Sequence, residues 1–261
     1  MNEIKENRRF MHCPSFKRSM TKSDQQNGIA HPSYENYKTG EFIELPTFDQ
    51  AITCPSYLDL LDNRRSERVF ADEGMTQEQL AFMLWSAQGI QSTRGKGGVS
   101  TFRPAPSGGA RHPFELYVAV KHVKGLEPGF YHYVPTKHIG EKKVTIERLG
   151  PLFADYETNM NGLLVGQKWA IKAPVILFLS CIPYRAEWRY NDAAHRVMLI
   201  DLGHVGQNMM LSATALGLGS CCLAAYDQKL CDKVFSFNGI DEYTVYVLPV
   251  GKVKNTDDAD N

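Results

Sequence analysis

The sequence predicts an α+β fold, and three observations carry that prediction. The early strand candidates, "FELYVAV" and "GFYHYVP", show alternation, are rich in β-branched and aromatic residues, and look hairpin-connected. After Pro174, "VILFLSCI" is a continuous apolar run of strand length, as expected of a central strand buried on both faces. From about Asn191 to Leu218 the chain reads as one long helix, apolar nearly all round through Val197, Met198, Leu199, Ile200, Leu202, Val205, Met209 and Met210. Such a helix has to be covered on most of its sides. Strands and helices interleave, but the hairpins favour α+β over a doubly wound parallel sheet.

Residues 1–53 are polar and broken by Pro14, Pro32 and Pro46, and they read as a partly ordered N-terminal lead segment that wraps a neighbouring surface. One domain, residues 54–261, follows. Its first helix, in "SYLDLLDNRRS", runs into the cationic stretch "RRSERVF". The next, in "TQEQLAFMLWSAQGI", starts at Thr76, with Gln79 completing a capping box and Leu80, Met83, Leu84 and Ala87 on one face. "RGKGGVSTFRPAPSGGARHP" is so dense in glycine and proline that it reads as one long loop, and loops of that length are uncommon unless they bind something. "KKVTIERL" is a further strand, 152–170 and 227–237 are helical stretches, and "YTVYVLPVG" is the closing strand.

Composition narrows the function classes. With 261 residues, 43% of them hydrophobic, the chain can bury a sizeable core. Its 29 basic residues balance 29 acidic ones, so no global field steers a nucleic acid or an anionic membrane to it, and an anionic ligand must be held by a local site. The N-terminus lacks the apolar core of a secretory signal and no apolar run is long enough to span a bilayer, so the expected location is cytoplasmic. The six cysteines show no Cys-x-x-Cys spacing and the eight histidines form no i, i+4 pair, so no metal is expected. Cys221 and Cys222 read as small buried thiols.

Four segments far apart in the chain share the features of a site for a flat ring carrying a phosphate. Guanidinium forks bind phosphate bidentately, which suits Arg64, Arg65 and Arg68, with the Ser66 hydroxyl beside them. In "PAPSGGARHPF", Gly108 and Gly109 let backbone approach a ligand closely. "GLGSCCLAAY" follows the long helix with small residues whose N–H groups can point at a ring edge, and "PVGK" ends on Lys252. The spacings of a phosphate-binding Walker loop, a dinucleotide-binding G-x-G-x-x-G and a G-x-S-x-G nucleophile elbow do not occur. A monophosphate with a flat ring is what remains.

Taken in order, these segments resemble the nitroreductase superfamily of flavin mononucleotide (FMN) oxidoreductases, and within it the SagB-type dehydrogenases. The likeness covers about residues 40–252 and rests on "RRSERVF", "MLWSAQGI", "RPAPSGGARHPFELYVAV", "GFYHYVP", "KAPVILFL", "AHRVMLIDLGHVGQN", "ATALGLG" and "VYVLPVGK" with compatible gaps. It implies an antiparallel-rich mixed sheet flanked by helices, in an interlocked homodimer with FMN at the subunit interface and the apolar helix near residue 200 at its core. Carried over position by position, it implies that Arg64, Arg65 and Ser66 face the flavin phosphate and ribityl chain, that Arg68 reaches the pyrimidine edge, and that Lys252 completes the phosphate site. Pro106, Ser107 and Gly108 would come from the partner subunit. Cys222, Leu223, Ala224 and Ala225 fall where the family presents backbone N–H groups to the flavin N5 and O4, Gln167 where a flavin-edge contact is common, and His204 near the substrate face.

One position departs from the SagB-type pattern. Those azoline dehydrogenases carry a lysine-tyrosine pair ahead of the long helix, where this chain has Arg189 and Tyr190. An arginine stays protonated and cannot act as a general base, whereas a tyrosine can still act as an acid. The resemblance thus implies an FMN-dependent oxidoreductase that passes hydride through flavin N5 between NAD(P)H or an organic donor and an electrophilic acceptor such as a nitroaromatic or quinone. Two alternatives stand beside it: a SagB-type dehydrogenase oxidising a peptide azoline or related heterocycle, and a non-catalytic flavin-binding or storage protein.

Overall fold

The computed structural model describes residues 21–95 and 99–254. In chain order the strands are β1 (Glu41–Leu45), β2 (Ser92–Arg94), β3 (Ser100–Phe102), β4 (Phe114–Val120), β5 (Gly129–Tyr133), β6 (Val144–Gly150), β7 (Val175–Cys181), β8 (Gly219–Ser220) and β9 (Tyr243–Gly251). The helices are α1 (Tyr57–Asn63), α2 (Gln77–Gln88), α3 (Tyr156–Leu163), α4 (Lys168–Ile171), α5 (Tyr184–Tyr190), α6 (Ala194–Ala215) and α7 (Gln228–Phe235). Seven strands form one sheet in the order β1-β6-β5-β4-β7-β9-β8, while β2 and β3 pair with each other alone. Ladders between neighbouring strands of the large sheet are antiparallel, and among the described residues parallel pairing is confined to isolated bridges such as Ser66 with Ser220.

The period of two in the strands decides which helix each side chain meets. Phe114, Leu116, Val118 and Val120 of β4 and Val175, Leu177 and Leu179 of β7 face one core, which α2 and α6 cover. Tyr117 and Ala119 of β4 and Ile176 and Phe178 of β7 face the other, closed by α3, α4 and α7. Both faces being covered, β7 can be apolar without interruption, and each fully buried Val, Leu or Ile adds roughly 1.5–3 kcal/mol of transfer free energy. The α2 capping box forms as expected: the Gln79 N–H donates to Thr76 Oγ1 at 3.2 Å and the Thr76 N–H to Gln79 Oε1 at 2.9 Å.

Several expectations need correction. The glycine-rich stretch is not all loop, because Ser92, Thr93 and Arg94 pair with Phe102, Thr101 and Ser100 as a short hairpin; residues 96–98 lie outside the described residues. The helical stretch 152–170 breaks into α3 and α4 where Val165 (φ 45°) and Gly166 (φ 82°) turn left-handed. Residues 191–193 form a 3-10 turn, and α6 ends at Ala215, before Gly217 (φ 69°) reverses the chain. Nor is α6 covered all round within the chain: Leu199 and Ile200 are 55% and 49% exposed. With the exposed His195, Gly203 and His204 they mark one stripe along the helix. Helix α5 has no counterpart among the sequence expectations. Of the lead segment, residues 1–20 lie outside the described residues, whereas β1 pairs with β6 and the following Phe48 is buried in the core, so the sheet begins ahead of residue 54.

Candidate functional site

Between α1 and α2 the chain from Arg64 to Ala71 is held by backbone on two sides. Ser66 bridges Ser220, and the Glu67 N–H donates to the Ser220 carbonyl at 3.0 Å. Phe70 bridges Val253, and the Ala71 N–H donates to the Lys252 carbonyl at 2.9 Å. Gly219 permits the approach, since a Cβ there would stand 2.6 Å from Glu67 Cβ. The fold therefore gathers residues 64–71, the stretch after β8 and Lys252 in one place. Arg64 is half-buried, and Arg65, Ser66, Arg68 and Lys252 are exposed. Among the described residues no carboxylate pairs with Arg64, Arg65 or Arg68; the Arg68 guanidinium lies 5.7 Å from the centre of the Trp169 ring. Lys252 Nζ sits 3.1 Å from Glu73 Oε2 in an exposed pair, weak enough to exchange for a better anion.

The stretch after β8 forms the adjoining wall. The Leu223 N–H donates to the Val247 carbonyl at 2.8 Å and is taken up by β9, so it cannot also face a ligand. Ala224 and Ala225 are exposed, and their N–H groups have no partner among the described residues. Gln167 braces this wall, its Nε2 donating to the Ala225 carbonyl at 2.8 Å. Burial pushes the Cys222 thiol up to about 11, so it stays protonated and is no nucleophile at neutral pH. Together these groups present cations, a hydroxyl and two open N–H groups around a small-residue edge, a donor set that fits a flavin with its phosphate.

A second cluster surrounds the turn after β3. Ser107 Oγ donates to Asp201 Oδ2 at 2.7 Å, the Gly108 N–H donates to the same oxygen at 3.0 Å, and the His112 N–H donates to Ser107 Oγ at 2.9 Å. A Cβ on Gly108 would collide with Val197. Burial raises the Asp201 carboxyl and pushes the His112 imidazole down to about 3, so this ring is neutral. Tyr190 and Arg189 adjoin the turn: a Cβ on Gly109 would lie 2.5 Å from the Tyr190 hydroxyl and 2.7 Å from Arg189 Nε.

The expected site residues thus fall into two groups and one outlier. Arg64, Arg65, Ser66, Arg68, Gln167, Cys222, Leu223, Ala224, Ala225 and Lys252 form the first; Pro106, Ser107, Gly108 and Tyr190 form the second. His204 is exposed on the bare stripe of α6 and belongs to neither. Cys222 approaches α6 at Gly206, its Sγ 3.9 Å from that carbonyl, while the second group approaches at Asp201. Five helical residues put those positions about 140° apart around the axis, so within one chain the body of α6 stands between them.

Sequence comparison decides the family. The profile described as Nitroreductase family matches residues 61–252, the span holding every residue of both groups. The chain belongs to the nitroreductase family. Family membership makes it an oxidoreductase. A protein named for the nitroreductases in Methanocaldococcus jannaschii is 32% identical over 210 residues, which cover 80% of this chain and 96% of that one. The microcin B17-processing protein McbC of Escherichia coli is 25% identical over 232 residues, 85% of this chain and 78% of McbC. The E. coli microcin synthetase McbBCD complex with truncated pro-MccB17 bound contains a chain of the same fold, with a TM-score of 0.57 at 21% identity over 97% of this chain and 92% of that one.

In this nitroreductase-family chain, three contributors went unread in the sequence: Trp169 beneath Arg68, Glu73 beside Lys252, and Asp201 holding Ser107 and Gly108. Only Asp201 left a signal, as the sole carboxylate between Arg196 and Gly217, set among Val197, Met198, Leu199, Ile200 and Leu202. An acid in such a stretch has to be hydrogen-bonded to something.

Proposed function

We propose that this nitroreductase-family oxidoreductase binds FMN and uses it to move hydride from NAD(P)H to an electrophilic acceptor such as a nitroaromatic or quinone. One observation carries this: backbone pairing on both sides fixes Arg64 to Ala71 beside the open N–H groups of Ala224 and Ala225 and beside Lys252. Bound FMN would supply reversible hydride transfer at its N5. In this reading Arg64, Arg65, Ser66 and Lys252 hold the phosphate, and Arg68, backed by Trp169, places positive charge at the pyrimidine edge. Ala224 and Ala225 donate to the ring edge. Pro106, Ser107 and Gly108 of a second copy of the chain cover the other side, in keeping with α6 dividing the two groups. Tyr190 supplies the proton that accompanies hydride, so a nitroaromatic, NAD(P)H and a proton become a nitroso compound, NAD(P)+ and water. The test is the visible spectrum of the purified protein: a flavin band that bleaches anaerobically under NADH or NADPH is expected. A colourless protein that FMN does not reconstitute overturns the reading.

Azoline oxidation on a peptide is the second reading, supported by the likeness to McbC across 85% of this chain. Arg189 weighs against it, since a guanidinium cannot take the proton that a lysine could. Turnover of an azoline peptide by the wild type, lost in Tyr190→Phe, would favour it. Bound flavin that no pyridine nucleotide reduces in rapid mixing would instead indicate storage.

A further inference from the structure

We propose that Asp201 is a positioning residue: by taking the Ser107 proton it fixes that hydroxyl as a hydrogen-bond acceptor, and the acceptor selects the N3–H of a flavin ring held by a second copy of the chain; this rests on the flavin reading above.

A serine hydroxyl has three places for hydrogen bonds, one through its proton and two through its lone pairs. Asp201 takes the proton, Ser107 Oγ donating to Oδ2 at 2.7 Å. The His112 N–H fills one lone pair at 2.9 Å. Among the described residues this oxygen has no further partner, and Ser107 is half-buried beside the exposed Pro106, so the second lone pair is the one left for a ligand.

The direction of that O–H is fixed. The Gly108 N–H donates to the same carboxylate, 3.1 Å from Oδ1 and 3.0 Å from Oδ2, and two donors converging on a carboxyl group favour its ionised form, which can only accept. Nor is the turn free to swing away. Tyr34 Oη donates to the Ala110 carbonyl and Arg111 Nε to the Gly109 carbonyl, each at 2.9 Å, and His112 Nε2 meets the Thr101 carbonyl at 2.9 Å. Gly109, Ala110 and His112 sit at φ of 61°, 53° and 41°, and such left-handed residues persist only where the surroundings over-determine them. Asp201 itself is 4% exposed, and a Cβ on Gly108 would collide with Val197, so the turn is seated directly on α6.

An acceptor is what the other ring contacts do not offer. Arg68 and the N–H groups of Ala224 and Ala225, which the flavin reading places at the ring edge, can only donate. They suit the oxygens and unprotonated nitrogens of the oxidised ring, whose single N–H is at N3. A donor enclosed without an acceptor loses its hydration for nothing, so that N–H needs an oxygen. Ser107 Oγ, its proton turned inward by Asp201, is the side-chain atom of the turn that answers it.

The test titrates FMN and 3-methyl-FMN, in which a methyl group replaces the N3 hydrogen, into the full-length protein freed of bound flavin, followed by flavin fluorescence. The wild type should prefer FMN. Ser107→Ala should lower the ratio of the two affinities at least about fivefold, as for one hydrogen bond lost by an enclosed donor. Asp201→Asn leaves Ser107 in place and the side-chain shape intact, but an amide can donate where the carboxylate only accepts, so the ratio should fall by a similar factor. A carboxylate that merely braced the turn would, on replacement, weaken both flavins alike and leave the ratio where it was. A ratio within about twofold of the wild-type one in either variant therefore overturns the proposal, whatever the absolute affinities. A wild type that binds both flavins without preference sinks the proposal alone; one that binds neither sinks the flavin reading with it.

Discussion

Arg185, Glu115, His132 and Glu147 form a buried charged chain at the residue scale, and its titration sets the pH range in which the fold is firm. Arg185 Nη1 donates to Glu115 Oε1, and His132 Nε2 lies 3.3 Å from Glu115 Oε2. Burial alone would raise the Glu115 carboxyl, but Arg185, then the His132 hydrogen bond, outweigh it and hold the group down to about 2. A depressed acid contributes stability above its ordinary value near ~4.3, and that contribution is lost as pH falls towards 2. Burial likewise pulls His132 down, but Glu115 and Glu147 raise it overall; its contribution is complete below ~6.5 and is lost as pH rises through the elevated value. Urea unfolding between pH 3 and pH 9 should therefore show this chain contributing most between about 4.3 and 6.5. Glu115→Gln should cost about 3–5 kcal/mol at pH 6, because Arg185 is left buried without its counter-charge, and should remove most of the acid-side slope. Equal stability of variant and wild type at pH 6 would show that the pair carries no net weight.

At the scale of elements, the cationic segment depends on how closely β8 lets it approach. Gly219→Ala puts a Cβ 2.6 Å from Glu67 Cβ, and since both atoms are fixed to backbone the segment from Arg64 has to move. The expected outcome is FMN affinity reduced at least about tenfold in a fluorescence titration, with far-UV circular dichroism unchanged, comparable to Arg68→Ala or Lys252→Ala. Wild-type affinity in Gly219→Ala would mean that the segment does not need β8. Much of this layer was legible in the sequence: α2 declared itself through its capping box and one-sided apolar face, β7 through its unbroken apolar run, and the arginines by standing together at 64, 65 and 68. Helix α5 was not legible, because seven residues, three of them aromatic and two of them arginine, give no apolar period and take their order from the lead segment packed on them. The hairpin β2–β3 was hidden because its strands, Ser92–Arg94 and Ser100–Phe102, are too short to show an alternation. Asp201 with Ser107 was beyond reach for a different reason: the pair is 94 residues apart and neither residue announces the other.

For the whole molecule, an apolar side chain reads the same in the sequence whether it enters a core or an interface, which is why α6 looked destined for burial on every side. The structure separates the two fates. Met198, Leu202, Val205 and Met209 fill the core, while Leu199 and Ile200 are exposed, as are Leu58 and Leu61 of α1. Large apolar side chains left exposed on a helix are a common mark of a surface covered by a partner. The Cys222 group and the Ser107 group approach α6 about 140° apart, which is the ground for expecting a ring that touches both to draw them from different copies of the chain. The prediction is a homodimer in sedimentation velocity whose flavin content depends on its assembly. Ile200→Glu, placed on the exposed stripe of α6, should shift the protein to monomer and strip the flavin absorbance with it. A folded monomer that keeps stoichiometric FMN would mean that one chain completes the site, and the division of the two groups by α6 would lose its functional meaning.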